Sequence, residues 1–305
     1  MQILKRTNYN FLRWRWHALA LSILLIVAGI ATIAMRGLQL GIDFSGGTVV
    51  LVRFDRAVGD GEVLGAIAGI PGDKTVQRYG SADANEWLIR LPQMDAQEQG
   101  TNLELGARAV VAALQSSSLG TFEIKQTDIV GPVMGQELQR KGLYAMLTAL
   151  AGIMIYIALR FRFTFAVGAI AATVHDILVT FAFLAWFGYD LSLNIVAAIL
   201  TITGYSVNDT IVVFDRVREN LRSQRRDNLE EVVNRSVNDT LSRTIITAGT
   251  TFLAVLGLFV FGGEVLEGFA FTMLVGIVAG TYSTIFIASA IAIILSGRRR
   301  RSAAA

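Results

Sequence analysis

The chain has 305 residues, 53% of them hydrophobic and only 17% charged, and its 27 Lys and Arg against 24 Asp and Glu give a formal net charge of +3. A soluble domain carries about 25% charged residues, so this composition excludes a fold covered by water, and disorder and a coiled coil with it. Cysteine is absent, which removes disulfides, thiolate metal sites and cysteine nucleophiles.

A helix that crosses a bilayer needs about 20 mostly apolar residues. The first such run, 18–35, follows a basic and aromatic start (1–17) with Lys5, Arg6, Arg13, Trp14, Arg15 and Trp16. It is longer than the roughly 7–15 apolar residues of a secretory signal and no small-residue cleavage site follows it, so it reads as a retained anchor.

Residues 36–141 then turn polar and hold all three prolines, Pro71, Pro92 and Pro132. TVVLVRFD at 48–55 reads as a strand. Val63, Ile67 and Ile70 recur at helical spacing up to the turn Pro71-Gly72-Asp73. Strands are expected at 74–79 and 86–91, where Trp87, Ile89 and Leu91 alternate. Leu103, Ala107, Val110, Val111 and Leu114 mark a longer amphipathic helix, and 121–129 supplies a last strand. The order β-α-β-β-α-β predicts a small α+β domain of ferredoxin-like type. About 100 residues support one modest core. A rigid spacer and a substrate-handling surface are both open readings of it.

Five further apolar runs, 143–159, 163–187, 191–214, 244–261 and 266–295, complete the pattern. The fold class expected is a polytopic α-helical membrane protein with six transmembrane helices and the α+β domain between helices 1 and 2. Helices 2–4 fall in 142–214 and helices 5–6 in 244–295. The charged stretch 215–243, interspersed with Val217, Leu221, Leu229, Val232 and Val233, predicts an amphipathic segment lying at the membrane surface. Residues 296–305 form a basic tail. Gly276 and Gly280 make a GxxxG, a close-contact signal that is common.

Lys and Arg set the orientation. One side receives the bases of 1–17, then Arg160 and Arg162, then those of 215–243 including Arg225 and Arg226, then Arg298 to Arg301. The short links 188–190 and 262–265 carry none, and in the insert acids outnumber bases. The expectation is a cytoplasmic (inner) membrane protein with both termini cytoplasmic and the insert periplasmic.

An ionisable side chain near a bilayer centre costs about 2.5–3.5 kcal/mol. His175 and Asp176 fall at the midpoint of the third span. Asp209 lies in the fourth, with Asp215 at its cytoplasmic end. At about 100° per residue, Asn194, Thr201, Gly204, Tyr205, Asn208 and Asp209 share one sector of helix, a stripe that needs another helix or water against it. For Thr201, Ser206 and Asn208, hydrogen bonds between helices, worth about 0.6 kcal/mol each, are one reading. A lone carboxyl such as Asp209 needs more, because a buried charge must be paired or neutralised. It takes up and releases a proton if its surroundings alternate between wet and dry. Arg243, at the entrance of the fifth span, lies at a similar depth and is its expected partner; an anchor at the interface is the other reading. His175 and Asp176 are either a second relay or a static hydrogen-bonded pair.

The motifs GIDFSGGT (41–48), VGPVMGQEL (130–138), ITGYSVNDTIVVFDRVREN (202–220) and SRTIITAGTT (242–251) together resemble the SecD/SecF family of bacterial protein-export membrane subunits. The resemblance covers nearly the whole chain, with no departure at the matched positions. It implies half of a transporter of the resistance-nodulation-division type, paired with SecD and associated with the SecYEG channel and YajC. It also implies use of the proton motive force, with SecD, to promote late export of preproteins. Asp209 and Arg243 match the intramembrane residues that support proton movement in that family. Gly41, Asp43, Gly46 and Gly47, with Gly131, Pro132, Gly135 and Glu137, would flank the periplasmic domain and couple it to the helices. Membrane lipid is the remaining partner; no cofactor, metal or nucleic acid is implied.

Three rival functions remain. An architectural subunit without proton movement shares every motif. Half of a lipid or small-molecule exporter shares the topology but would need a hydrophobic substrate pocket. An intramembrane aspartyl protease needs two carboxyls sharing a proton at close range, yet Asp190 lies in a loop and Asp209 follows Ser206-Val207-Asn208 where that class has Gly-x-Gly. His17 and His175 are the only histidines, so no enzyme is expected.

Overall fold

In the computed structural model, residues 7–72, 74–79, 84–91, 103–223 and 228–302 are described. Lys5, Arg6, Asp73, Pro92, Arg225 and Arg226 lie outside them. Contacts divide the chain into two units, one of Met1–Gln39, Ala145–Asp190 and Asn194–Ala305, the other of Leu40–Tyr144 with Leu191–Leu193.

The smaller unit grows from strand alternation. A short helix α2 (Ile42–Ser45) precedes β1 (Gly47–Phe54), α3 (Asp60–Ala66), β2 (Thr75–Tyr79), β3 (Glu86–Leu91), α4 (Leu103–Ser116) and β4 (Phe122–Val130). The four strands form an antiparallel sheet in the order β2-β3-β1-β4, which is the ferredoxin-like arrangement expected. Trp87, Ile89 and Leu91 alternate into the core with Val50, Val52 and Phe54 of the neighbouring strand. The two helices cover that face through Val63, Val110 and Leu114. Each such side chain contributes about 1.5–3 kcal/mol when fully buried.

The larger unit contains α1 (Arg15–Arg36), the later part of α5 (Pro132–Arg160), α6 (Phe163–Phe187), α7 (Leu193–Ser223), α8 (Leu229–Phe261), α9 (Glu264–Ser283) and α10 (Ser289–Ser302), with a π-helical turn at Thr284–Ala288. Six helices among the described residues are long and apolar enough to cross a membrane. Their packing is uneven. The most apolar windows of the third, fourth and sixth spans are 56%, 50% and 61% buried, whereas those of the second and fifth are each 6% buried. Small residues explain the close centre, since association in lipid relies on van der Waals contact. A methyl group on Gly276 would overlap Ile202 of α7, and one on Gly280 would overlap Ser206. The GxxxG is therefore the seam between α9 and α7.

Two boundaries differ from expectation. Helix α5 starts at Pro132, not near 142, because proline suits the first helical position, where its missing N–H has no partner to lose. The expected amphipathic segment at 215–243 is corrected: α7 continues unbroken to Ser223 and α8 begins at Leu229, so both halves extend the spans. No glycine or proline interrupts either half. The apolar side chains Val217, Val233 and Val237 pack into one core with Val213 and Phe214. Asn220 Nδ2 donates to Ser236 Oγ at 2.9 Å, and Arg216 pairs with Asp239 at 2.8 Å. The amphipathic pattern is real, but its apolar face meets another helix.

Candidate functional site

Asp209 sits sixteen residues into the helix that Leu193 opens. Its Oδ1 accepts a hydrogen bond from Thr244 Oγ1 of α8 at 2.7 Å, while its Oδ2 is buried without a hydrogen-bond partner. The hydroxyl of Tyr205, one turn earlier, is buried and unpartnered as well. Both line a cavity of about 220 Å³ together with Asn208, Arg243, Thr247 and Thr250. Arg243 lines the same cavity as the carboxylate, yet the two form no ion pair. Apart from Val212 the lining side chains are polar, with room for water to bridge them.

The rest of the stripe stays on the outside of this chain. Thr201, Gly204 and Asn208 are exposed and Tyr205 and Asp209 are half-buried. Thr201 spends its hydroxyl on the carbonyl of Ala197 at 2.8 Å. Ser206 points the other way, into the bundle.

There it meets the second acid. Asp176 is 2% and His175 6% exposed. Asp176 Oδ2 accepts from Ser206 Oγ at 2.5 Å and from Ser283 Oγ at 2.9 Å, and its Oδ1 lies 3.0 Å from His175 Nδ1. His175 Nε2 is 2.9 Å from Ser22 Oγ of α1, and the imidazole stacks on Tyr282 at 5.9 Å between centroids. Tyr282 OH in turn donates to the carbonyl of Ala18 at 2.7 Å. Four spans thus meet on one carboxylate and one imidazole. Immediately after Ser283 the sixth span widens into the π turn, where Thr284 and Thr210 pair their hydroxyls at 2.8 Å. Such turns recur at functional positions in helices.

Asp215 stands apart from both acids. Arg160 Nη2 donates to its two oxygens at 3.0 and 2.9 Å where α5 ends.

The glycine motifs meet within the smaller unit. Gly47 and Val130 are paired in the register of β1 and β4, so the start of one motif and the end of the other lie side by side. Gly46 takes a positive φ of 70°, a backbone region that favours glycine. A Cβ on Gly135 would come within 3.0 Å of Gly46 N, so bare backbone is required on both sides. Gly135 N donates to Gly131 O at 2.9 Å, in the first turn that Pro132 opens. Gly41 N donates to Leu191 O at 2.7 Å, and Asp43 Oδ2 accepts from Leu193 N at 2.9 Å. Asp43 therefore holds the residue that opens α7. Glu137 pairs with Lys141 at the surface at 2.7 Å.

Sequence reasoning singled out Asp209 and Arg243, which line one cavity, and the His175–Asp176 pair, which is hydrogen-bonded. It missed Ser22, Tyr282 and Ser283, which are unremarkable in a membrane helix until folding brings them to Asp176. Thr244 stood inside a quoted motif, but no period singled it out. Among the described residues no three His, Asp or Glu side chains gather as a metal would need.

Six membrane helices, with a ferredoxin-like domain after the first and acids on the third and fourth, define a multi-pass inner membrane protein. The family described as protein export membrane protein SecD/SecF, C-terminal, matches residues 110–298, and the SecD/SecF GG motif matches residues 32–58. The protein translocase subunit SecF of Rhodothermus marinus is 43% identical over 100% of both chains. That of Escherichia coli O157:H7 is 38% identical over 96% of this chain and 90% of its own. The crystal structure of SecDF, a translocon-associated membrane protein from Thermus thermophilus, is similar with a TM-score of 0.82 at 33% identity. That likeness covers 95% of this chain and 39% of the longer SecDF chain. A second SecDF structure, in the super-membrane-facing form, has a TM-score of 0.72 at 34% identity over 100% of this chain and 41% of its own. The chain belongs to the SecD/SecF family of protein export membrane proteins.

Proposed function

We propose that this chain works with SecD beside the SecYEG channel, and with YajC, to promote the export of preproteins, and that Asp209 carries the proton movement that drives it. The observation that carries the reading is the half-satisfied carboxylate: one oxygen is held by Thr244, the other is buried without a partner, and the residue lines a cavity shared with Arg243. A charge left in such a place is costly, so a change in its protonation is a strong lever on whatever packs against it. Arg243 stays charged throughout, and its approach or withdrawal is the counter-charge that makes loading and unloading reversible.

The exposed stripe of Thr201, Gly204 and Asn208 supports a second six-span subunit, since lipid offers the Asn208 amide no hydrogen-bond partner and the small residues beside it allow close helix contact. Both termini face the cytoplasm and the α+β domain faces the periplasm. Asp43, bonded to the first residue of α7, is the mechanical link: a shift in the fourth span pulls on the loop that the glycine motifs hold. Two positions of the domain, biased by protonation, hinder backsliding of the exported chain. Asp176 and Asp209 have separate hydrogen-bond partners, unlike the paired carboxyls that aspartyl protease chemistry needs.

The test is Asp209→Asn in the assembled complex. Proton flux into reconstituted vesicles and export promotion should both fall at least tenfold while copurification with SecD is unchanged. Full flux and full export in that variant would leave the architectural reading.

A further inference from the structure

Where α5 ends and α6 begins, a cavity of about 370 Å³ is lined by Arg160, Arg162, Arg218 and Arg222 around an aromatic floor of Phe161, Phe165 and Phe214. The floor is well packed, with the Phe165 and Phe214 rings edge to face at 5.1 Å. The arginines come from two segments far apart in sequence. Two carboxylates stand nearby and both are occupied: Asp215 holds Arg160 at 2.9 Å, and Glu219 holds Arg216 at 2.8 Å. Arg162, Arg218 and Arg222 make no ion pair with a described carboxylate. Three arginines without a described carboxylate partner thus line one hollow of the size that small-molecule sites have.

We propose that this hollow binds the phosphate headgroup of an anionic phospholipid. Guanidinium forks match phosphate oxygens in a way that ammonium groups do not, and basic pockets between membrane helices are suited to such headgroups. The position selects an amphiphile over a free anion. Arg160 is the last residue of the second span and Phe163 the first of the third, so the hollow opens at the boundary between lipid tails and water. Leu159 and Phe163, 84% and 72% exposed, lie beside the arginines in sequence and offer acyl chains an apolar rim. A soluble phosphate gains nothing from that rim. Dispersed arginines at span ends would serve the positive-inside bias alone; this set lines one volume, and the carboxylates of the adjoining hollow, Asp215 and Glu219, are already paired with Arg160 and Arg216.

The test is native mass spectrometry of the full chain in detergent with phosphatidylglycerol or phosphatidylethanolamine added. The native protein should retain phosphatidylglycerol preferentially. The preference should fall about 100-fold in R162Q/R218Q/R222Q, from roughly fivefold per charge, with thermal stability unchanged because all three side chains are exposed. The control variant R13Q/R36Q, altered at other span ends, should keep it. Equal loss in the control would reduce the effect to general surface attraction and overturn the site. Retention in the triple variant would also overturn it, as would full displacement by inorganic phosphate, which would make the ligand a free anion.

Discussion

Two carboxylates sit within the same bundle, on consecutive spans, and differ in how completely they are bonded. Asp176 has both oxygens engaged, by His175 on one side and Ser206 and Ser283 on the other. Asp209 has one oxygen engaged and one free. A fully satisfied buried polar network rigidifies the core that surrounds it, whereas a partly satisfied one is unstable as it stands. Asp176 therefore ties the first, third, fourth and sixth spans together. Asp209, which lines a cavity with Arg243, is the acid to which the proposed proton movement is assigned. Position within a span tells the two apart less well than the count of hydrogen bonds.

The largest expected effect falls on the bonded acid. Asp176→Ala leaves Ser206 Oγ and His175 Nδ1 without their partner in the bundle, while Ser283 Oγ keeps the Gly280 carbonyl at 3.2 Å; each orphaned group costs about 1–3 kcal/mol. Unfolding in mixed micelles should show a loss of roughly 3 kcal/mol, and a variant as stable as the native chain would break the contrast. Next comes the seam that brings Ser206 to Asp176. Gly280→Leu forces α9 away from α7, and overpacking of this kind costs about 1–3 kcal/mol, read in the same assay. Asp209→Asn should cost little, within about 1 kcal/mol, because the amide oxygen still accepts from Thr244 and single polar contacts in membranes average about 0.6 kcal/mol. A large loss of stability there would make Asp209 a second structural tie. The smallest effect belongs to Arg160→Gln, which removes a half-exposed ion pair worth less than about 1 kcal/mol; its effect should shrink further as salt is raised.

Much of the fold was legible because the physics was local. Apolar runs of membrane length announced the spans, and the alternation of Trp87, Ile89 and Leu91 announced the central sheet. Asp209 was legible because a carboxyl inside an apolar run is costly wherever it ends up. The partners of Asp176 were not. Ser22 and Ser283 lie 153 and 107 residues from the groups they meet, and serine in a membrane helix usually bonds its own backbone. The stretch 215–243 was misread for a related reason. Val217, Val232 and Val233 give a helix an apolar face, but the pattern alone does not say whether lipid or a second helix covers it.

The central claim is that Asp209 changes its protonation state during work while Asp176 keeps its own. Infrared difference spectroscopy on the reconstituted complex, with and without an imposed proton gradient, reads this through the carboxyl stretch. The account predicts a band for a protonated carboxyl that appears and disappears with the gradient, is lost in Asp209→Asn and persists in Asp176→Asn. A spectrum in which the Asp209 band never changes would contradict it.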